Sequence, residues 1–223
     1  MSSPRLILAS QSESRRRMLA AAGIPHEAIR SPCDEEAAKA RFRAAGLAGE
    51  ELALALAEAK AAAVDSLPSL RAERSNPDSG TNGLPRCARN DGHLILGCDQ
   101  ILVAHDGNQL DKADSLDHLA EQLAFLSGQK HRLISAAVIL SNGQRLWSAA
   151  QSAHLTMRPL SPGFIAEYLA HEGESLLGCV GGYRIEGLGA QLFSAVEGNS
   201  FVVQGLPMFP LLDVLRARGV IAS

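Results

Sequence analysis

The run Leu94-Ile-Leu-Gly-Cys-Asp-Gln-Ile-Leu-Val-Ala104 constrains this chain more than any other segment. Its Ile, Leu and Val content suits a β-strand covered on both faces, yet a carboxylate, Asp99, stands in its middle. A lone charge there is too costly to bury, so Asp99 must be paired, hydrated or bound to a metal. The chain soon offers a partner. His105-Asp-Gly-Asn108 places Asp-Gly between apolar runs, a strong hairpin signal. With Asp106 and Gly107 as the loop, Lys112 falls opposite Ile101. Side chains alternate along a strand, so Lys112 then shares a face with Asp99 as its diagonal neighbour, about 7–8 Å away. A carboxylate and an ammonium so spaced could hold a metal, a water or a phosphate; a purely structural ion pair fits equally well.

The 223 residues suffice for one large domain or two lobes around a cleft. Hydrophobic residues at 46% and charged residues at 20% describe a globular chain, not a disordered one. A net charge of −3 argues against a general nucleic-acid binder and leaves small anions to local basic clusters. Aromatic residues are only 4%, which gives no stacking platform for single strands. Cys33, Cys87, Cys98 and Cys179 are scattered, with no Cys-x-x-Cys pair; that pattern suits reduced thiols and carries no zinc signature. The first residues lack the apolar run of a signal peptide, and no segment reaches transmembrane length. The expectation is a soluble, cytoplasmic protein without a membrane or nucleic-acid partner.

Residues 5–9 read as a short strand, Ser10-Gln-Ser12 as a turn and cap, and a helix follows to Ala22 with Gly23 as its stop. Residues 36–64 are alanine-rich and helical, broken near Gly46 and Gly49. Residues 66–93 have no periodicity and are dominated by Ser, Asn, Pro, Gly and Arg, the composition of a flexible insertion. Beyond the central hairpin, residues 114–127 and 161–172 are predicted helices, and 131–139 and 146–156 are strands joined by Ser141-Asn-Gly143. Residues 178–189 are glycine-rich. Residues 190–196 and 201–204 read as a second hairpin around Glu197-Gly-Asn199, and a last helix spans 207–218. Hairpins mixed with crossovers imply an α/β fold with a mixed twisted sheet and flanking helices.

Arg15, Arg16 and Arg17 sit in the first turns of a helix, where the macrodipole is already positive. An anion held by free backbone N–H groups, the Ser10 and Ser12 hydroxyls and an arginine fork would reverse that penalty. Successive helical residues point about 100° apart, so at most one or two of the three can reach such a ligand. A solvated basic face is the alternative.

Taken in order, several short motifs resemble one family. Leu8-Ala-Ser-Gln-Ser-Glu-Ser-Arg15 is similar to the opening signature of the Maf nucleoside triphosphate pyrophosphatases. Cys33-Asp-Glu35 resembles that family's Asp-Glu pair, Ala57-Glu-Ala-Lys60 its helical lysine, and Gly97-Cys-Asp-Gln100 its central Asp strand. Asp111-Lys112 stands where the family has Gly-Lys-Pro, and Ser127-Gly-Gln-Lys-His131 resembles its Ser-Gly-x-x-His. Gly181-Gly-Tyr-Arg-Ile-Glu-Gly187 and Gly205-Leu-Pro207 complete the order. Each motif is weak; the ordered set, covering nearly the whole chain apart from residues 66–93, is specific.

The resemblance implies a single two-lobed domain over residues 1–223 with a flexible insertion at 66–93, similar also to the inosine triphosphate pyrophosphatases, with a cleft between the lobes; such proteins are often homodimers. It implies hydrolysis of a nucleoside triphosphate to monophosphate and pyrophosphate. Asp99, Lys112 and Lys60 take the catalytic positions, with Asp99 as general base for water, and Ser10, Ser12, Arg15, Gln100, Tyr183 and Glu186 the substrate positions. A divalent cation would be held by Asp99, Glu35 or Asp34; magnesium suits oxygen ligands of this kind, with manganese as the alternative.

Departures from the common family pattern bear on the base. Gln100 replaces Thr, Cys179 replaces Lys, Glu186 replaces Gln, and Ala113 replaces Pro. The changes at 100, 179 and 186 resemble the subgroup acting on 7-methyl-GTP. Glu186 could accept from guanine N–H groups and Tyr183 could stack on the cationic ring; alternatively Tyr183 is core and Glu186 pairs with Arg184 or a nearby lysine. Two further functions stay open: a nucleotide-binding regulator of cell division with little turnover, and a house-cleaning hydrolase of deaminated purine triphosphates.

Overall fold

The computed structural model of the protein describes residues 4–68, 70 and 93–222. The insertion expected at 66–93 therefore lies almost wholly outside the described residues. The strands are β1 (Leu6–Leu8), β2 (Glu27–Ala28), β3 (Leu94–Val103), β4 (Gln109–Leu110), β5 (Lys130–Ser141), β6 (Gln144–Met157) and β7 (Phe193–Glu197). The helices are α1 (Glu13–Ala21), α2 (Glu35–Ala44), α3 (Gly49–Asp65), α4 (Leu116–Leu126), α5 (Pro162–Glu172), α6 (Ser200–Val203) and α7 (Met208–Ala217), with three short 3-10 turns between Gly173 and Leu192.

One mixed sheet runs β2-β1-β3-β5-β6-β7, with β4 added to β3 off that path. β1 is parallel to β2 and β3, and the remaining pairs are antiparallel. Strand alternation sorts the core. Ile95 and Ile101 of β3 and Ile134, Ala136 and Val138 of β5 face α3, whereas Leu94, Leu96 and Cys98 join Ala137 and Ile139 against α1 and α7. Further along that second face, Leu102, Leu133, Leu155 and Met157 pack with α4 and α5. Asp99 belongs by parity to the α3 face.

The sheet forks at Asp99. One edge of β3 pairs with β5 without interruption from Ile95 to Val103. The opposite edge is shared by β1 at residues 94–96 and β4 at 102–103. Among the described residues no strand occupies that edge at 97–101, so the chain leaving β1 and the chain leaving β4 diverge there. A crevice between diverging strands is where α/β folds place ligands.

Two local expectations are corrected. The β3–β4 loop has three residues, not two: Leu102 pairs with Leu110 and Val103 with Gln109, and the Ala104 N–H donates to the Asn108 carbonyl. Asp106 accepts from the Asn108 backbone and side chain, and Gly107 takes φ +86, so an extra residue is absorbed and the register moves by one. The ladder ends at Leu110, and Lys112 is not the diagonal neighbour of Asp99 on a strand. The second hairpin is also absent. β7 pairs with β6, and residues 200–203 turn helical because the Asn199 side chain accepts from the Phe201 N–H and caps them, while Val202 and Val203 bury in the core.

Candidate active site

A cleft of about 900 Å³ opens at the fork of the sheet. Asp99, Lys60, Glu35, Lys112, Arg15, Ser10 and Ser12 all line it. Lys60 comes from α3, whose buried stripe Leu52, Ala53, Leu56, Ala57, Lys60, Ala61, Val64 recurs at helical spacing. A lysine within such a stripe needs a carboxylate, and that pattern is legible in the sequence. Its partner is Asp99, not reached by Lys112: the Lys60 ammonium donates to Asp99 at 2.7 Å and sits 2.9 Å from Glu35. Asp99 and Lys60 are 8% and 7% exposed, so water screens this pair weakly.

Gly97 makes the contact possible. A Cβ at this strand position would lie 2.0 Å from the Ala57 carbonyl oxygen, so α3 rests directly on the strand backbone. One helical turn places Lys60 beside Asp99. Burial alone would lower the Lys60 ammonium, but Asp99 and Glu35 outweigh it and hold the group above its ordinary value. Burial likewise pushes the Glu35 carboxyl up, yet Lys60, helped by Lys112 and Arg15, holds it below the usual range. Lys60 and Glu35 therefore both carry charge at neutral pH.

The anion site lies across the cleft on the β1–α1 turn. Ser12 caps α1 and accepts from the Arg15 N–H, and its own N–H donates to the Ser10 hydroxyl at 3.2 Å. Arg15 donates through Nε to the Gly205 carbonyl at 2.8 Å and through a terminal nitrogen to Ser10 at 3.3 Å. Of the three arginines, Arg15 and Arg17 line the cleft and Arg16 does not. Arg17 and Ser14 both donate to one oxygen of Glu186, at 2.9 and 3.1 Å.

The other assigned residues also line the cleft but have partners of their own. Asp34 caps α2, one of its oxygens accepting from the Ala37 N–H at 3.0 Å. Gln100 donates to Ser135 and to the Val202 and Val203 carbonyls. Tyr183 lines the cleft but is 6% exposed, with its hydroxyl 2.6 Å from His131 and its ring edge-on to Phe193. The core reading of Tyr183 thus fits the packing, and Glu186 has an arginine partner other than Arg184.

Sequence reasoning missed the support behind Lys112. Lys39 and Arg43 of α2 grip Asp111, Arg43 through both terminal nitrogens at 3.1 Å. Burial pushes the Asp111 carboxyl up, but bonds from Arg43 and Lys39 outweigh it and hold it low. Basic residues at 39 and 43, one turn apart, are the sequence signal for a second anion grip.

His131 is 2% exposed, and burial pulls its imidazole from an ordinary 6.5 down to about 4. The unfolded chain takes up this proton near 6.5 and the folded chain only near 4, so the unfolded state binds more protons between them. Stability from this site is present above pH 6.5 and lost as pH falls towards 4, by at most about 3 kcal/mol. Urea unfolding across that window should show the loss in the parent and a shallower slope in His131→Gln. Equal slopes would mean the imidazole titrates alike in both states.

The sequence profile of the Maf-like protein family matches residues 5–218. A nucleoside triphosphate pyrophosphatase of Rhodospirillum rubrum is 40% identical over 99% of this chain and 98% of its own length. A 7-methyl-GTP pyrophosphatase of Rhizobium johnstonii is 42% identical over 98% of each chain, and one of Mesorhizobium japonicum is 40% identical over 97% and 98%. With its forked mixed sheet and a buried Asp–Lys pair facing an arginine, this α/β chain belongs to the Maf-like family. Relatives of both names are equally similar, so overall identity does not choose a base. No helix among the described residues is long and apolar enough to cross a membrane.

Proposed function

We propose that the protein hydrolyses nucleoside triphosphates between the α and β phosphates, releasing a monophosphate and pyrophosphate, and that it prefers 7-methyl-GTP. The observation that carries the reaction is the Asp99–Lys60 pair buried at the sheet fork, with the more exposed Glu35 beside it, facing the Ser10–Arg15 anion site. A triphosphate carries about four negative charges, and phosphoryl chemistry is catalysed mainly by positioning and charge neutralisation. Arg15, Lys60 and Lys112 supply that neutralisation. Before substrate binds, Lys60 holds both carboxylates; phosphate oxygens compete for its ammonium and release Asp99 to take a proton from water. A binder without turnover would need the arginine and serines but not a buried carboxylate, whose desolvation is costly.

Glu35 and Asp99 converge on one point at Lys60, which fits a cation that takes one or two carboxylates and completes its shell with water and phosphate. Among the described residues no three His, Cys, Asp or Glu groups gather into a protein-only cage. Asp34 lines the same cleft, and its cap on α2 engages one of its two carboxylate oxygens. When bound, a magnesium ion would supply charge stabilisation at the phosphates.

Base choice rests on Glu186. Arg17 and Ser14 fix one of its oxygens at the cleft lining, which preorganises the carboxylate as an acceptor for guanine N–H groups. The same carboxylate repels the carbonyl edge of uracil or thymine. The expected result is a higher kcat/KM for 7-methyl-GTP than for dTTP or UTP, and a smaller gap in Glu186→Gln. Pyrophosphate release from the three substrates, measured side by side, decides it. A parent preference for dTTP or UTP would remove the base assignment and leave the reaction standing; no pyrophosphate from any of them would remove the reaction.

A further inference from the structure

Asp111 follows β4 directly and puts a carboxylate on the lining of a cleft proposed to receive a polyanion. A bare negative charge in that place repels the ligand. This one is not bare. Arg43 of α2 donates to both of its oxygens at 3.1 Å, and Lys39, one helical turn earlier, lies 3.1 Å from one of them. The backbone of the same residue is held from another side. Gln122 of α4, itself 7% exposed, donates to the Asp111 carbonyl at 3.0 Å.

The two holds come from separate parts of the core. α2 is seated beside α3 through Ala38 and Phe42, whereas α4 packs through Leu119, Leu123 and Leu126 into the cluster that also buries Ala113. Arg43 reaches the Gln109 side chain as well, at 3.4 Å, so its fork spans the end of β4. Residue 111 is therefore fixed by side chain and carbonyl at once. Lys112 comes next, in a stretch with no helix or strand of its own to hold it. Among the described residues Lys112 makes no hydrogen bond or ion pair, which leaves its ammonium on the cleft lining available to phosphate.

We propose that Asp111 is a positioning residue for Lys112: locked to α2 by Arg43 and Lys39, it fixes the turn after β4 and aims the ammonium at the triphosphate. The proposal rests on Lys112 binding phosphate. The sign of the effect separates a clamp from a diffuse positive field. Removing a negative charge beside a polyanion strengthens binding if charge alone matters. Losing the clamp weakens it instead, because a lysine on a loosened turn must be ordered again each time the ligand binds.

In Asp111→Asn, kcat/KM should fall roughly tenfold for 7-methyl-GTP, GTP and UTP alike, and the inhibition constant of inorganic tripolyphosphate should rise by a similar factor. Arg43→Lys keeps every charge but loses the fork, so it should act in the same direction. It decides the matter if Asp111→Asn does not fold. In a Lys112→Met background, Asp111→Asn should add nothing further. Unchanged or tighter tripolyphosphate inhibition in Asp111→Asn would overturn the proposal, the tighter result making Lys39 and Arg43 substrate-facing cations. Parental behaviour of Arg43→Lys would also overturn it. So would multiplicative losses in the double variant, which would leave the clamp a structural contact only. If the parent hydrolyses no nucleotide, calorimetric binding of tripolyphosphate to the same variants still reads the Lys112 site, which separates failure of the reaction from failure of this inference.

Discussion

Asp99→Asn is expected to lower turnover by roughly 10²–10⁴-fold while the fold survives. The amide keeps the size and can still accept from Lys60, but it cannot take a proton from water. Lys60 is not stranded, because Glu35 remains 2.9 Å from its ammonium. The usual penalty for leaving one buried charge alone is thus blunted. Pyrophosphate release and thermal unfolding should be measured on the same preparation. Near-parental turnover in a folded Asp99→Asn protein would move the base to Glu35, which shares the ammonium, or to Asp34, which lines the same cleft.

The second large effect belongs to a residue with no chemistry. Gly97→Ala would drive a methyl group to 2.0 Å from the Ala57 carbonyl oxygen and 2.9 Å from the Ala61 Cβ. Neither is the free end of a flexible side chain, so the backbone of α3 or β3 must move. Overpacking of this kind costs about 3 kcal/mol or more, a drop in Tm of roughly 6–12 °C for a chain of this size. Displacing α3 also carries Lys60 away from Asp99, so activity should fall along with stability. Gly163→Ala is the control, because a Cβ there meets nothing within 4 Å. A Gly97→Ala protein with parental Tm and turnover would show that α3 can rise off the strand at little cost.

Much of this was written in local patterns. The cap at Ser12, the break before Gly49, the Asn-Gly turn between β5 and β6, the Ser161 cap and the Gly219 stop each follow from a residue's own backbone preference. The motif series from Leu8 to Pro207 carried the family, and the buried strand around Asp99 carried the site.

Local reasoning failed where two competing local signals met. Asp-Gly suggested a two-residue loop, but Asp106 binding to Asn108 favoured three, and one residue of register moved Lys112 off the strand. Residues 201–204 are β-branched and aromatic enough for a strand, yet the Asn199 cap and the burial of Val202 and Val203 made them helical.

The sequence by itself determined that a carboxylate would be buried in a strand, that an arginine-rich helix would open beside two serines, and which family these belong to. The first two are properties of single segments and the last of their order along the chain, so none needs knowledge of spatial neighbours. Only the tertiary structure decided that Lys60 is the partner of Asp99, that Gln100 turns to α6, and that Glu186 answers Arg17. Each of these contacts joins segments 39 to 169 residues apart. Burial presses polar groups to find partners, but which partner each finds depends on how α3 sits on Gly97 and where the sheet forks.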